Sequence, residues 1–167
     1  TCLKQEGLAS LQIIFNIFRQ KPITELFKQA KTKGVSLIVR LPLASGLLGG
    51  QLNANVPFPE NDHRRFNNDG QCFNVGETFA GIPFNIGLDL TQELKNMVPE
   101  GMTLAQMALR WILDFDAVTV VIPGSKSPLQ VPDNASASKL PSLPESLHEE
   151  LSIFYNEKII QHIRGKY

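Results

Sequence analysis

The residues best suited to chemistry lie late in the chain, in the run Ile122-Pro123-Gly124-Ser125-Lys126. An apolar stretch, AVTVVI, stops at Ile122, and Pro123 and Gly124 make a tight turn where glycine lets a ligand approach the backbone. Ser127, Pro128 and Gln130 then read as a helix start, with a box-type cap and a proline at the first helical position. Free N–H groups and the helix dipole at such a start attract anions. Ser125 adds a hydroxyl donor and Lys126 a positive charge, so the predicted chemistry is phosphate binding. The same residues also fit a capped helix with a solvated lysine. Two further polar residues interrupt apolar runs: Gln12 in LQIIFNIF and Arg40 at the end of VSLIVRL. Gln12 also fits a polar group satisfied among strands, and Arg40 a surface ion pair.

Other chemistries lack their residues. The two tyrosines, Tyr155 and Tyr167, lie at the C-terminal end, and the histidines His63, His148 and His162 are scattered. No set of Cys and His has metal-ligand spacing, and no nucleophile-elbow or Walker run is present. Cys2 and Cys72 are far apart and read as reduced thiols, which suits a cytoplasm. Lys+Arg and Asp+Glu both number 16, so the basic excess of a general nucleic-acid binder is missing. No apolar run approaches the ~20 residues that span a bilayer, and TCLKQEGLAS lacks the apolar core of a signal peptide.

The 167 residues, 43% apolar and 19% charged, suffice for one globular domain over 1–167. Three apolar runs read as buried strands, at 11–18, 35–41 and 117–122. A helix opening at Pro22 and closing at Gly34 separates the first two and makes a βαβ unit. From 44 to 87 the pattern fades into a long loop whose five phenylalanines point to packing against something. Helices follow over Leu88–Val98, from Thr103 with Gln106 as a capping box, and from Ser142 with Glu145. The class is α/β, and three strands leave open sheet edges that need cover.

Four segments together resemble the aldo-keto reductases: LQIIFNIFRQ (11–20), VRLPLASGLLGG (39–50), the pair NDHRRFNNDGQCFNVGETFAGIPF (61–84) with TLAQMALRWIL (103–113), and VIPGSKSPLQVPDN (121–134). The third resembles the general-stress-type subgroup. The resemblance implies a partial (β/α)8 TIM barrel: the last three β/α units, with strands six to eight, plus a C-terminal helix. It implies NADP(H) as cofactor. Ser125, Lys126 and Gln130 would then hold the adenosine 2′-phosphate, after the turn at Gly124, and Asp133 and Asn134 would meet the adenine. Gln12 would bond the nicotinamide carboxamide and Arg40 would stack on its ring. Leu43, Ser45 and Leu47 would cradle the pyrophosphate.

Two departures from the family pattern carry expectations of their own. Pro132 predicts a bent or shortened helix, and Gly49-Gly50-Gln51 lacks a lysine usual at that place. The family's catalytic Tyr, Lys, Asp and His all belong to the first half of the barrel. The chain is therefore expected to be a C-terminal fragment of a carbonyl reductase, inactive alone. Its expected partners are an aldehyde or ketone substrate in the complete enzyme, and a missing N-terminal half or a second copy across the open edges. The alternative is a non-catalytic NADP(H)-binding or self-associating half-barrel module.

Overall fold

Strand β1 (Ser10–Ile14), β2 (Ser36–Arg40) and β3 (Val118–Val121) form one parallel sheet in the order β1-β2-β3 in the computed structural model, which describes residues 2–165. The first run is shorter than the predicted 11–18. Asn16 ends it, because its side-chain oxygen accepts from the Phe18 N–H at 3.0 Å and turns the chain back on itself. Phe15, Ile17 and Phe18 stay fully buried beyond the strand, which explains why the whole run looked like sheet. Between β2 and β3 the register shifts at Leu37/Ile38, and the Thr119 hydroxyl accepts from the Leu37 N–H, so the irregular place keeps its hydrogen bond.

Helical turns over Ile23–Phe27 run into α1 (Lys28–Thr32) and link β1 to β2 as predicted. The segment 44–87 is not featureless: it holds turns at Ala44–Gly49, Val75–Glu77 and Phe79–Gly81, and helix α2 (His63–Phe66). Helix α3 (Phe84–Lys95) begins directly after Pro83, four residues before the predicted start. Its Phe84 ring packs on Phe79 and Phe58, which fixes the register of that start. Helix α4 (Leu104–Leu113) carries both bonds of the Thr103/Gln106 capping box. Helix α5 (Gln130–Ser136) starts later than the predicted Ser127 box, and α6 (Glu145–Phe154) starts after Pro144 rather than at Ser142. Pro144 is extended, with ψ 145°, and so excludes Ser142 from the helix.

The two faces of the sheet differ. Leu37 and Val39 point into the core and are fully buried. Ser36, Ile38 and Arg40 alternate with them and are half-exposed, as strand periodicity requires. The core centres on Trp111 of α4, stacked on Phe15 at 4.9 Å and met edge-on by Phe115. At the end of α4, Asp114 accepts from Arg110, from the Leu143 N–H, and pairs with His148 of α6, which pins the last helix to the core. Among the described residues no helix is long and apolar enough to cross a membrane.

Candidate functional site

Parallel strands deliver their C-terminal ends to one side of a sheet, so the segments after Ile14, Arg40 and Val121 are neighbours. After β1, Asn16 donates from Nδ2 to the Leu41 carbonyl at 2.9 Å and ties the first two exits together. After β2 the backbone turns sharply: Leu41, Ala44 and Ser45 have φ of 52°, 47° and 57°, and Gly46 follows at 102°. Left-handed conformations at non-glycine residues cost ~1–3 kcal/mol each and persist where the surroundings impose them. Here the fully buried Ala44, Leu47 and Leu48 anchor the turn.

The long loop folds onto this turn. The Ser45 Oγ accepts from the Phe79 N–H at 3.0 Å and lies 3.4 Å from the Glu77 carbonyl, to which it donates. Glu77 Oε2 pairs with the Arg40 guanidinium at 2.8 Å, both side chains about one-third exposed. Arg64 of α2 donates to the Ser45 carbonyl at 3.4 Å and lies over the Phe58 ring, 4.4 Å from its centre.

Asp62 caps α2 and receives Arg64 through two oxygens, at 3.0 and 2.6 Å. The side-chain hydrogen bond from Arg64 holds the Asp62 carboxyl down to about 2 from an ordinary 3.8, against the opposing effect of desolvation. His63 is pushed down from 6.5, chiefly by burial, with Asp62 opposing. His63 also feels the charges of Lys126 and Glu77. A depressed carboxyl stabilises the fold fully above its unfolded pKa, and that contribution fades as pH falls through the folded one. The stability advantage of the native chain over Asp62→Asn, which keeps a capping oxygen, is therefore expected to be constant above about pH 5 and to vanish towards pH 2. Denaturant midpoints across that range check this, and a pH-independent difference would contradict it.

After β3 the chain leaves the sheet through an exposed turn. The N–H groups of Lys126 and Ser127 at this turn are already used. The Gln130 side-chain oxygen accepts from the Lys126 N–H at 2.6 Å and from the Ser127 N–H at 3.3 Å, the second being one of the two bonds of the expected Ser127/Gln130 box. Asn134 Nδ2 donates to the Ser125 hydroxyl at 3.1 Å. Asp133 is held instead by Gln106 Nε2 of α4, at 3.0 Å. Pro132 falls in the first turn of α5, where a missing N–H breaks no intrahelical bond, so its expected cost does not arise; the helix is short and late rather than bent at proline.

Ser125, Lys126, Gln130 and Asn134 thus form one cluster. Lys126 is exposed and its ammonium has no ion-pair partner among the described residues. Gly124 is open, with nothing within 4 Å of the place a side chain would occupy. Gln12 is exposed on the open face of the sheet beside Ile38, and its amide makes no hydrogen bond among the described residues. Leu43 is half-buried, and Leu47 is fully buried, so the Leu47 side chain is closed to a ligand. Two surface clefts, of about 470 and 410 Å3, contain none of these residues; the larger lies around Trp111, Asp114 and His148. Sequence reading missed Asn16, Arg64 and Glu77. The DHRR run (62–65) and the ETF run (77–79) carry no signal that would have placed them.

The aldo/keto reductase family model matches residues 3–156. An aldo-keto reductase of Strobilurus tenacellus is 30% identical over 137 residues, 80% of this chain and 38% of its own length. The L-glyceraldehyde 3-phosphate reductase of Escherichia coli is 31% identical over 113 residues, 67% of this chain and 31% of its own. Among solved structures, a glycerol dehydrogenase from Gluconobacter oxydans superposes with a TM-score of 0.71 at 19% identity, covering 95% of this chain and 45% of that one. The holo form of an aldo-keto reductase from Bacillus halodurans gives 0.63 at 24% identity, over 97% and 48%. The fold is therefore that of part of an aldo-keto reductase barrel, and the chain spans about 30–50% of the length of these relatives.

Proposed function

We propose that this chain, which belongs to the aldo/keto reductase family, is the cofactor-holding part of an NADP(H)-dependent carbonyl reductase and carries no catalytic residue of that reaction. The observation that carries the reading is Lys126: an exposed ammonium without an anionic partner, beside a hydroxyl and two amides, at the end of the sheet where the left-handed turn 41–46 also lies.

The residues present fit such a cofactor. Lys126, with Ser125 and the Gln130 amide nitrogen, offers a cation and donors to a 2′-phosphate. The backbone of Leu43, Ser45 and Leu47 lines the pyrophosphate, at a turn braced by the Arg64 bond to the Ser45 carbonyl. Arg40 presents a flat guanidinium to the nicotinamide, and its pairing with Glu77 fixes the plane of that group. Gln12 faces the same open side of the sheet with its amide free among the described residues. Asn134 and Asp133 are engaged with Ser125 and Gln106, so they shape the adenine side chiefly by holding the cluster together. When bound, NADP(H) supplies the hydride for an aldehyde or ketone. The proton must come from elsewhere: Tyr155 is buried in the last helix and His148 is tied to Asp114.

The complementary strands of the barrel would then come from a chain or segment of about this size, docking along both open edges of the sheet. A cytoplasmic setting suits the free, exposed Cys2 and Cys72. A second reading, a self-associating cofactor-binding module without turnover, is favoured by the exposed Val120 and Ile122 at the β3 end, since a two-fold contact could cover them. Fluorescence titration with NADPH and NADH tests the common claim of both readings, the phosphate-selective wall.

A further inference from the structure

The last residues of the described chain fold back onto the long loop. Arg164 makes four hydrogen bonds there. Its backbone N–H and its Nε both donate to the Gly81 carbonyl at 3.0 Å. One terminal nitrogen pairs with Asp69 at 2.6 Å, and the other donates to the Asn68 carbonyl at 2.9 Å. Neighbouring contacts are close: a side chain on Gly165 would come within 2.9 Å of Val75, and one on Gly81 within 3.0 Å of the Arg164 carbonyl.

The turn gripped in this way is itself strained. Phe79, Ala80 and Gly81 are three successive left-handed residues, at 52°, 58° and 85°. Such a run needs outside bonds to hold it. From inside the loop it is held by Thr78, whose hydroxyl accepts from the buried Asn67 amide at 3.0 Å. The same turn delivers the Phe79 N–H to Ser45 and the Glu77 carboxylate to Arg40.

We propose that Arg164 is a positioning residue: the C-terminal tail straps the 78–81 turn in its left-handed form, and through Glu77 and Phe79 sets Arg40 and Ser45. The proposal rests on the cofactor reading above for its functional consequence, but the strap is testable without cofactor. In Arg164→Ala, hydrogen exchange of the Phe79, Gly81 and Ile82 amides rises at least ~10-fold, while that of Leu37 and Val39 in β2 is unchanged. Arg164→Lys retains the Asp69 pair and recovers part of the protection. Asp69→Asn alters one exposed partner only, so it decides the matter should the alanine variant not fold; the same three amides then exchange faster. Unchanged exchange at these amides, or an equal rise in β2, overturns the proposal. NADPH release accelerates by about the same factor in Arg164→Ala if the turn sets the cofactor wall; release at the native rate from a turn that exchanges faster overturns that link. A native chain that binds no NADPH counts against the cofactor reading, and the exchange pattern then judges the strap alone.

Discussion

Trp111→Ala is expected to remove a large share of the chain's stability at 25 °C. Trp111 is 1% exposed, and its indole stacks on Phe15 with ring centres 4.9 Å apart, takes Phe115 edge-on at 5.0 Å and has His148 over it at 6.4 Å. Removing such a side chain costs ~3–5 kcal/mol in transfer and cavity terms. A whole small domain is worth ~5–15 kcal/mol, and this sheet has two open edges, so little remains. The cavity cannot collapse readily, because its walls come from separate elements: Phe15 after β1, Phe27 before α1 and Phe115 after α4. Circular dichroism and denaturant midpoints check this. A loss under ~1 kcal/mol would show that Trp111 is not the centre of the core.

Gly76→Ala is expected to cost ~2–3 kcal/mol, the worth of a buried hydrogen bond to a charged group. A side chain on Gly76 would fall 2.0 Å from the Arg19 Nη1 and 2.9 Å from its Cζ. Arg19 is 7% exposed and donates to the Gly76 carbonyl at 2.9 Å, so it has little free volume to retreat into. Displacing it moves the backbone next to Glu77, and the Arg40 pair should loosen with it. The observable is a lower denaturant midpoint together with faster exchange around 76–79. A midpoint shift equivalent to under ~0.5 kcal/mol would mean that the guanidinium repositions freely.

What the sequence revealed was local. The Thr103/Gln106 box is a four-residue signature and both its bonds form. The inward residues of α6 follow helical spacing, and Leu147, Leu151 and Phe154 are buried, as are Tyr155 and Ile159 beyond it. The parallel sheet followed from short apolar runs separated by helical ones. The predicted first strand overran where a side chain captured the backbone: Asn16 ended β1 early. The rest depended on contacts between distant residues. Arg40 meets Glu77 37 residues on, and Arg164 meets Asp69 across 95. No period or spacing in a single sequence records such pairs, so the loop that completes the candidate site read only as loop. Lys126, Ser125, Gln130 and Asn134 were readable as a group because a run of ten residues contains them all.

The central claim is that this portion of the barrel selects a phosphorylated dinucleotide, and the most direct test is nicotinamide fluorescence on titrating the purified chain with NADPH and with NADH. The account predicts binding of NADPH at least ~10-fold tighter than NADH, a preference worth ~1.4 kcal/mol that disappears in Lys126→Ala. A folded chain that binds both cofactors equally, or neither, or that keeps its preference without Lys126, would contradict it.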